Sequence, residues 1–146
     1  NKFQYFYKKD NNSELINSRN FVSPPRITVG SEHENPIFLN RNDAGGERGV
    51  WNQEELFSYW SVNGNEGYYK INFKFIRPVP SGGRMFLETK GVINQKKVKG
   101  DSLETISFDN IYLPAGAYDF MPFYSIENKK IFPFWVKIKK FTNYTK

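Results

Sequence analysis

The chain has 146 residues, a formal net charge of +6, 14 Phe, 9 Tyr, 3 Trp and no cysteine. That length predicts one domain, able to bury roughly two-thirds of its unfolded surface. The lack of cysteine excludes disulfides, thiolate zinc sites and cysteine nucleophiles, the aromatic-rich composition argues against a helical bundle, and no apolar run approaches the roughly 20 residues of a membrane helix.

No signal peptide is recognisable. The first residue is Asn1 rather than Met, and the expectation is a piece of something longer or already processed. The positive charge keeps a surface away from neutrality or attracts polyanions. The lysines are dispersed except at 96–99 (KKVK) and 137–140 (KIKK). No nucleic-acid reader motif accompanies them, so neither nucleic acid nor membrane is an expected partner. Sulfated or carboxylated sugars are an equally acceptable polyanion.

Residues 1–23 read as a linker or N-terminal tail: residues 11–20 (NNSELINSRN) are polar and Asn-rich, and Pro24 and Pro25 punctuate the entry to the domain proper. Residues 24–142 read as the folded domain. Residues 26–29 and 37–39 look like short strands, and 40–49 (NRNDAGGERG) like a polar, glycine-rich loop. Residues 51–56 suggest one helical turn with Asn52 as its cap. Residues 57–62 alternate Phe57 and Tyr59 against Trp60 and Val62, and 63–66 (NGNE) turn the chain.

The strongest signal is 67–76 (GYYKINFKFI). Tyr69, Ile71, Phe73 and Phe75 fall on one side of an extended chain, and Tyr68, Lys70, Asn72 and Lys74 on the other. Period-2 alternation of this kind marks an antiparallel strand with one face on a core. Residues 84–89 make a shorter strand, and 91–101 a lysine-rich loop or hairpin tip. Residues 103–108 and 111–113 read as two strands, followed by the Pro114–Gly116 turn and a strand over 117–124. A turn at 127–130 leads to a closing strand at 131–138, with Phe132, Phe134, Val136 and Ile138 inward. About eight strands with turn signals every eight to twelve residues predict an all-β fold, an antiparallel two-sheet sandwich or barrel; a jelly roll is a common solution for eight such strands.

The ordered set of 25–39 (PRITVGSEHENPIFL), 40–60 (NRNDAGGERGVWNQEELFSYW), 67–80, the 113–116 turn and 132–138 (FPFWVKI) resembles the accessory β-sandwich found C-terminal to the catalytic domain of bacterial arylsulfatase-like enzymes. The resemblance covers roughly residues 24–140. More loosely, the Gly-Tyr-Tyr strand, the LPAG turn and the last alternating strand are similar to galactose-binding-like jelly rolls, which bind glycans and often hold a structural calcium. The sulfatase family's own catalytic motif, C/S-x-P-x-R, is not present: residues 23–26 (SPPR) are one residue short. The resemblance therefore implies a non-catalytic domain, without a cofactor of its own beyond a structural calcium, in a periplasmic or extracellular bacterial enzyme. Its partners would be the catalytic sulfatase domain of the same chain and a sulfated or neutral glycan. An independent carbohydrate-binding module and a purely structural scaffold are the alternatives.

Candidate sites come from residue chemistry. Arg41, Asn42, Asp43, Glu47 and Arg48 share one loop. They could hydrogen-bond sugar hydroxyls and pair with sulfate or carboxylate, or simply brace the loop. Trp51 and Trp60 are candidate sugar platforms, or core. Glu32, Glu34 and Asp43 could offer oxygen ligands to calcium, although their spacing matches no EF-hand. His33, the only histidine, lacks a nucleophile or carboxylate partner in a recognisable setting. Neither Glu54 with Glu55 nor Asp109 with Asp119 is placed by the sequence as a glycosidase pair, so no catalytic residue is expected.

Overall fold

In the computed structural model, which describes residues 21–22, 24–47, 54–100 and 103–141, the chain is all-β. The strands are β1 (Phe21–Val22), β2 (Arg26–Val29), β3 (Ile37–Asn40), β4 (Gly45–Glu47), β5 (Ser58–Gly64), β6 (Gly67–Lys74), β7 (Arg84–Thr89), β8 (Val92–Lys97), β9 (Thr105–Leu113), β10 (Gly116–Ile126), β11 (Lys129–Ile131) and β12 (Trp135–Lys140). A 3-10 turn at Arg41–Asp43 follows β3. A four-stranded sheet, ordered β3-β12-β6-β9, packs against a larger sheet with the spine β1-β4-β5-β10-β7-β8. β11 forms a hairpin on β10, and β2 lies parallel to β5. That parallel pair departs from the wholly antiparallel sandwich expected from the sequence.

The principal pairings are nested. β7 pairs with β8, β6 with β9, β5 with β10 and β3 with β12, all antiparallel. The chain therefore doubles back on itself about one turn, Lys90–Gly91, where both residues have positive φ (41° and 83°). A two-residue turn of that hand matches the right-handed twist of its flanking strands. Two further pairings, β10 with β7 and β12 with β6, roll the long hairpin into two sheets.

The core lies between the sheets. Tyr69, Ile71, Phe73 and Phe75 face Trp60, Val62, Met85, Leu87 and Phe120 inside it, and all nine are fully buried. Burying each such side chain stabilises the fold by about 1.5–3 kcal/mol. Phe73 meets Phe108 edge to face, with ring centroids 5.5 Å apart. Gly30, at φ 85°, leaves room for the Tyr69 hydroxyl: a Cβ there would sit 2.0 Å from the oxygen.

Three sequence expectations need correction. Residues 103–113 hold one strand, not two. Its apolar period changes phase between Phe108 and Ile111, and a β-bulge opposite the Tyr69–Ile71 step absorbs the change, so both stay buried while Asp109 and Asn110 are exposed. Residues 131–138 are not one strand. Ile131 ends β11 on the large sheet and Trp135 begins β12 on the small one. Pro133, which has no N–H to give to a ladder, sits at the crossing. Finally, Lys96 and Lys97 belong to β8, an edge strand paired with β7, rather than to a loop tip. The helical turn expected at 51–56 lies partly outside the described residues, and residues 54–56 are turn and bend.

Truncating Phe73 to Ala should lower unfolding free energy by about 3–5 kcal/mol in urea titrations, whereas Val92→Ala on the exposed edge should change it by less than about 0.5 kcal/mol. Equal effects would contradict this placement of the core. Burial also pushes the Tyr69 phenol up to about 12, above the value near 10 of an unfolded tyrosine. The stability contributed by keeping it neutral is fully present below pH about 10 and is lost as pH rises through about 12. Tyr69→Phe should therefore flatten the alkaline fall in stability between those pH values, and an unchanged slope would assign that fall to other groups.

Candidate functional site

The loop after β3 is built around Asn40. Its side-chain oxygen accepts from the Asp43 N–H at 3.3 Å, and the Ala44 N–H donates to the Arg41 carbonyl at 3.2 Å. The Asn40 carbonyl accepts from the Trp60 indole N–H at 2.8 Å. Trp60 is thus a fully buried core residue with its one donor satisfied, and it offers no ring face to a sugar. Asn42 is exposed, while Arg41 and Asp43 are half-buried. Nη1 of Arg41 is buried with no hydrogen-bond partner among the described residues, and desolvation lowers the guanidinium pKa. A desolvated charge of this kind is stabilised by an anionic partner. Arg48 and Trp51 lie outside the described residues.

The other candidates are not brought together. Among the described residues no three His, Asp or Glu side chains converge as a metal would require, so Glu32, Glu34 and Asp43 form no such set. His33 lies in the exposed segment before β3, where its backbone N–H donates to Ser31 Oγ at 2.9 Å. Glu54 pairs with Arg77 at 3.0 Å and Glu55 with Lys129 at 3.6 Å. Asp109 and Asp119 belong to different sheets.

A second surface adjoins this corner: the outer face of the four-stranded sheet. Strand alternation and register place its side chains in rows. Asn40, Trp135, Lys74 and Thr105 form one row, and Phe38, Lys137, Asn72 and Ser107 the next. Lys139 then stands opposite Lys70, and Tyr68 opposite Tyr112. Phe38, Tyr68 and Tyr112 are 50%, 48% and 46% exposed, too much for core residues. Phe38 meets Trp135 edge to face at 5.5 Å, and Tyr68 meets Tyr112 in the same way at 5.5 Å.

The polar groups on this face are partly engaged. Lys74 is paired with Glu104 at 2.9 Å. The Ser107 hydroxyl donates to Asn72 Oδ1. The Tyr112 hydroxyl donates to Glu66 at 2.9 Å, a bond that raises its pKa. The Lys137 ammonium lies 5.9 Å from the Phe38 ring centroid. The outcome is a sheet face with a ring pair toward each end and lysines on the rows that join them. Sequence reasoning set Tyr68, Lys70, Asn72 and Lys74 outward but did not read a site there. The usable signal was that Phe38, Tyr68 and Trp135 occupy the outward parity of strands whose other parity is apolar.

Asn40→Ala removes the cap on Asp43 while leaving the backbone carbonyl that holds Trp60. It should lower stability by about 1 kcal/mol in urea titrations, with the NMR resonance of the Trp60 indole N–H unmoved. A shift of that resonance would mean that the side chain, not the carbonyl, positions the indole. Neither a protein-family model nor a curated protein sequence matches this chain.

Proposed function

We propose that the chain is a non-catalytic accessory domain of a bacterial sulfatase-like enzyme acting on sulfated glycans outside the cytoplasm. In this reading it packs on the catalytic domain of the same protein and contacts carbohydrate with the outer face of its four-stranded sheet. The observation that carries the reading is the outward-facing ring pair of exposed Phe38 and half-buried Trp135 beside the polar corner of Asn40, Arg41, Asn42 and Asp43. Sugars stack their C–H faces on aromatic rings while side-chain amides and guanidinium groups take their hydroxyl and acidic groups. The nested order of the eight longer-range strands supports the jelly-roll, galactose-binding-like reading. The same outward rings on one sheet face favour the second reading, an independent carbohydrate-binding module, because such a surface needs no partner domain to complete it.

Affinity electrophoresis in gels containing a sulfated galactan tests the contact. Trp135→Ala should weaken retention, at about 0.5–1.5 kcal/mol for a lost ring contact, up to roughly a tenfold rise in Kd. Retention unchanged by Trp135→Ala and Phe38→Ala would overturn the assignment. In the parent enzyme, the accessory role predicts that Trp135→Ala raises KM for the polymeric substrate and leaves hydrolysis of a small aryl sulfate unaltered. An equal loss on both substrates would contradict it.

A further inference from the structure

We infer that the outer face of the four-stranded sheet binds an extended anionic oligosaccharide laid along the strands, with its sulfate or carboxylate groups held by the opposed pair Lys70 and Lys139. This rests on the proposal that the face takes carbohydrate, and adds the charge, direction and length of the ligand.

Lys70 on β6 and Lys139 on β12 are register partners. Directly opposed side chains have Cβ atoms about 4.5–5.5 Å apart, and like charges there are destabilising. Both lysines are exposed, and neither is in an ion pair among the described residues. The carboxylate nearest by register, Asp109 in the bulge, is in no ion pair either. Elsewhere on the same face amines are engaged: Lys74 by Glu104, and Lys137 over Phe38. An anion placed between the two ammonium groups converts their repulsion into attraction for both.

The lysine pair also lies between the ring pairs. Along β6 it is two residues from Tyr68 and four from Lys74, the register partner of Trp135. At about 3.3 Å per residue those steps are roughly 7 and 13 Å, so the rings bracket a span of about 20 Å. That length suits an oligosaccharide rather than a single sugar. The outward positions carry lysine and no arginine. Lysine is a point charge suited to isolated sulfate or carboxylate groups, whereas arginine is the side chain preferred for nucleic-acid recognition. This favours a glycan over a nucleic acid as the occupant.

The test uses the 146-residue chain, a sulfated galactose tetrasaccharide, the same tetrasaccharide desulfated, and single-stranded DNA, with Kd measured across a salt series. The sulfated sugar should bind most tightly, with affinity falling as salt rises. Lys70→Gln with Lys139→Gln should raise its Kd about tenfold, flatten the salt dependence, and leave Tm unchanged or higher because a repulsion is removed. Lys97→Gln on the β8 edge should bind as the wild type does. Equal, salt-independent binding of the desulfated sugar would overturn this inference and leave the carbohydrate reading standing. No binding to either sugar would overturn both. Tighter binding of DNA than of the sulfated sugar would overturn it, as would wild-type affinity in the double variant.

Discussion

The register of β6 between β12 and β9 decides two surfaces at once. Tyr69, Ile71 and Phe73 must point inward because together they fill the space under the large sheet, where they are fully buried. Side chains on a strand alternate, so the same choice turns Tyr68, Lys70, Asn72 and Lys74 outward. A slip of one residue would bury two lysines and expose the core face, a penalty far above the stability of a domain this size. The partners are locked by the same rule. Val136 and Ile138 inward on β12 put Trp135, Lys137 and Lys139 outward, and Ile37 and Leu39 on β3 put Phe38 and Asn40 outward. The array of rings and amines is therefore held by the core and not by its own contacts.

That coupling explains why a repulsive pair such as Lys70 and Lys139 is tolerated. Its destabilisation is a fraction of a kcal/mol to about 1 kcal/mol on a solvated face, while each buried aromatic on the inward side of β6 contributes more. In the proposed reading, an anionic ligand would supply the charge that this local conflict lacks. The loop after β3 complements it. Its arginine is partly desolvated, and Asn40 belongs both to the turn and to the outward row that includes Trp135.

Much of this was legible from parity in the sequence. The alternation at 67–76 gives β6 with its inward and outward sets, and the strands near residues 70, 120 and 135 do sit inside their sheets. The bulge in β9 is visible as a phase change in the apolar period, though it reads equally well as a break between strands. Pro133 marks the crossing between sheets, but the apolar alternation runs through it and hides the change. β8 defeats pattern reading because all its residues but Asn94 are exposed, so it has no buried face to betray it. Trp60 illustrates the remaining limit. Its alternation with Phe57 and Tyr59 left open which set faces inward, and a tryptophan next to a polar loop also suits a sugar platform; full burial and the indole hydrogen bond to the Asn40 carbonyl place it in the core. The ring pairs on the small sheet join residues far apart in sequence, Phe38 with Trp135 and Tyr68 with Tyr112, through strand order that composition does not reveal.

The central claim is that ligand lies on the outer face of the four-stranded sheet, on the opposed lysines and between the rings. Mapping amide chemical shifts of the isotope-labelled chain during titration with a sulfated tetrasaccharide tests it most directly. The account predicts concerted, saturable changes at Phe38, Tyr68, Lys70, Trp135 and Lys139. Changes confined to the β7–β8 hairpin and Lys99, with that face silent, would contradict it.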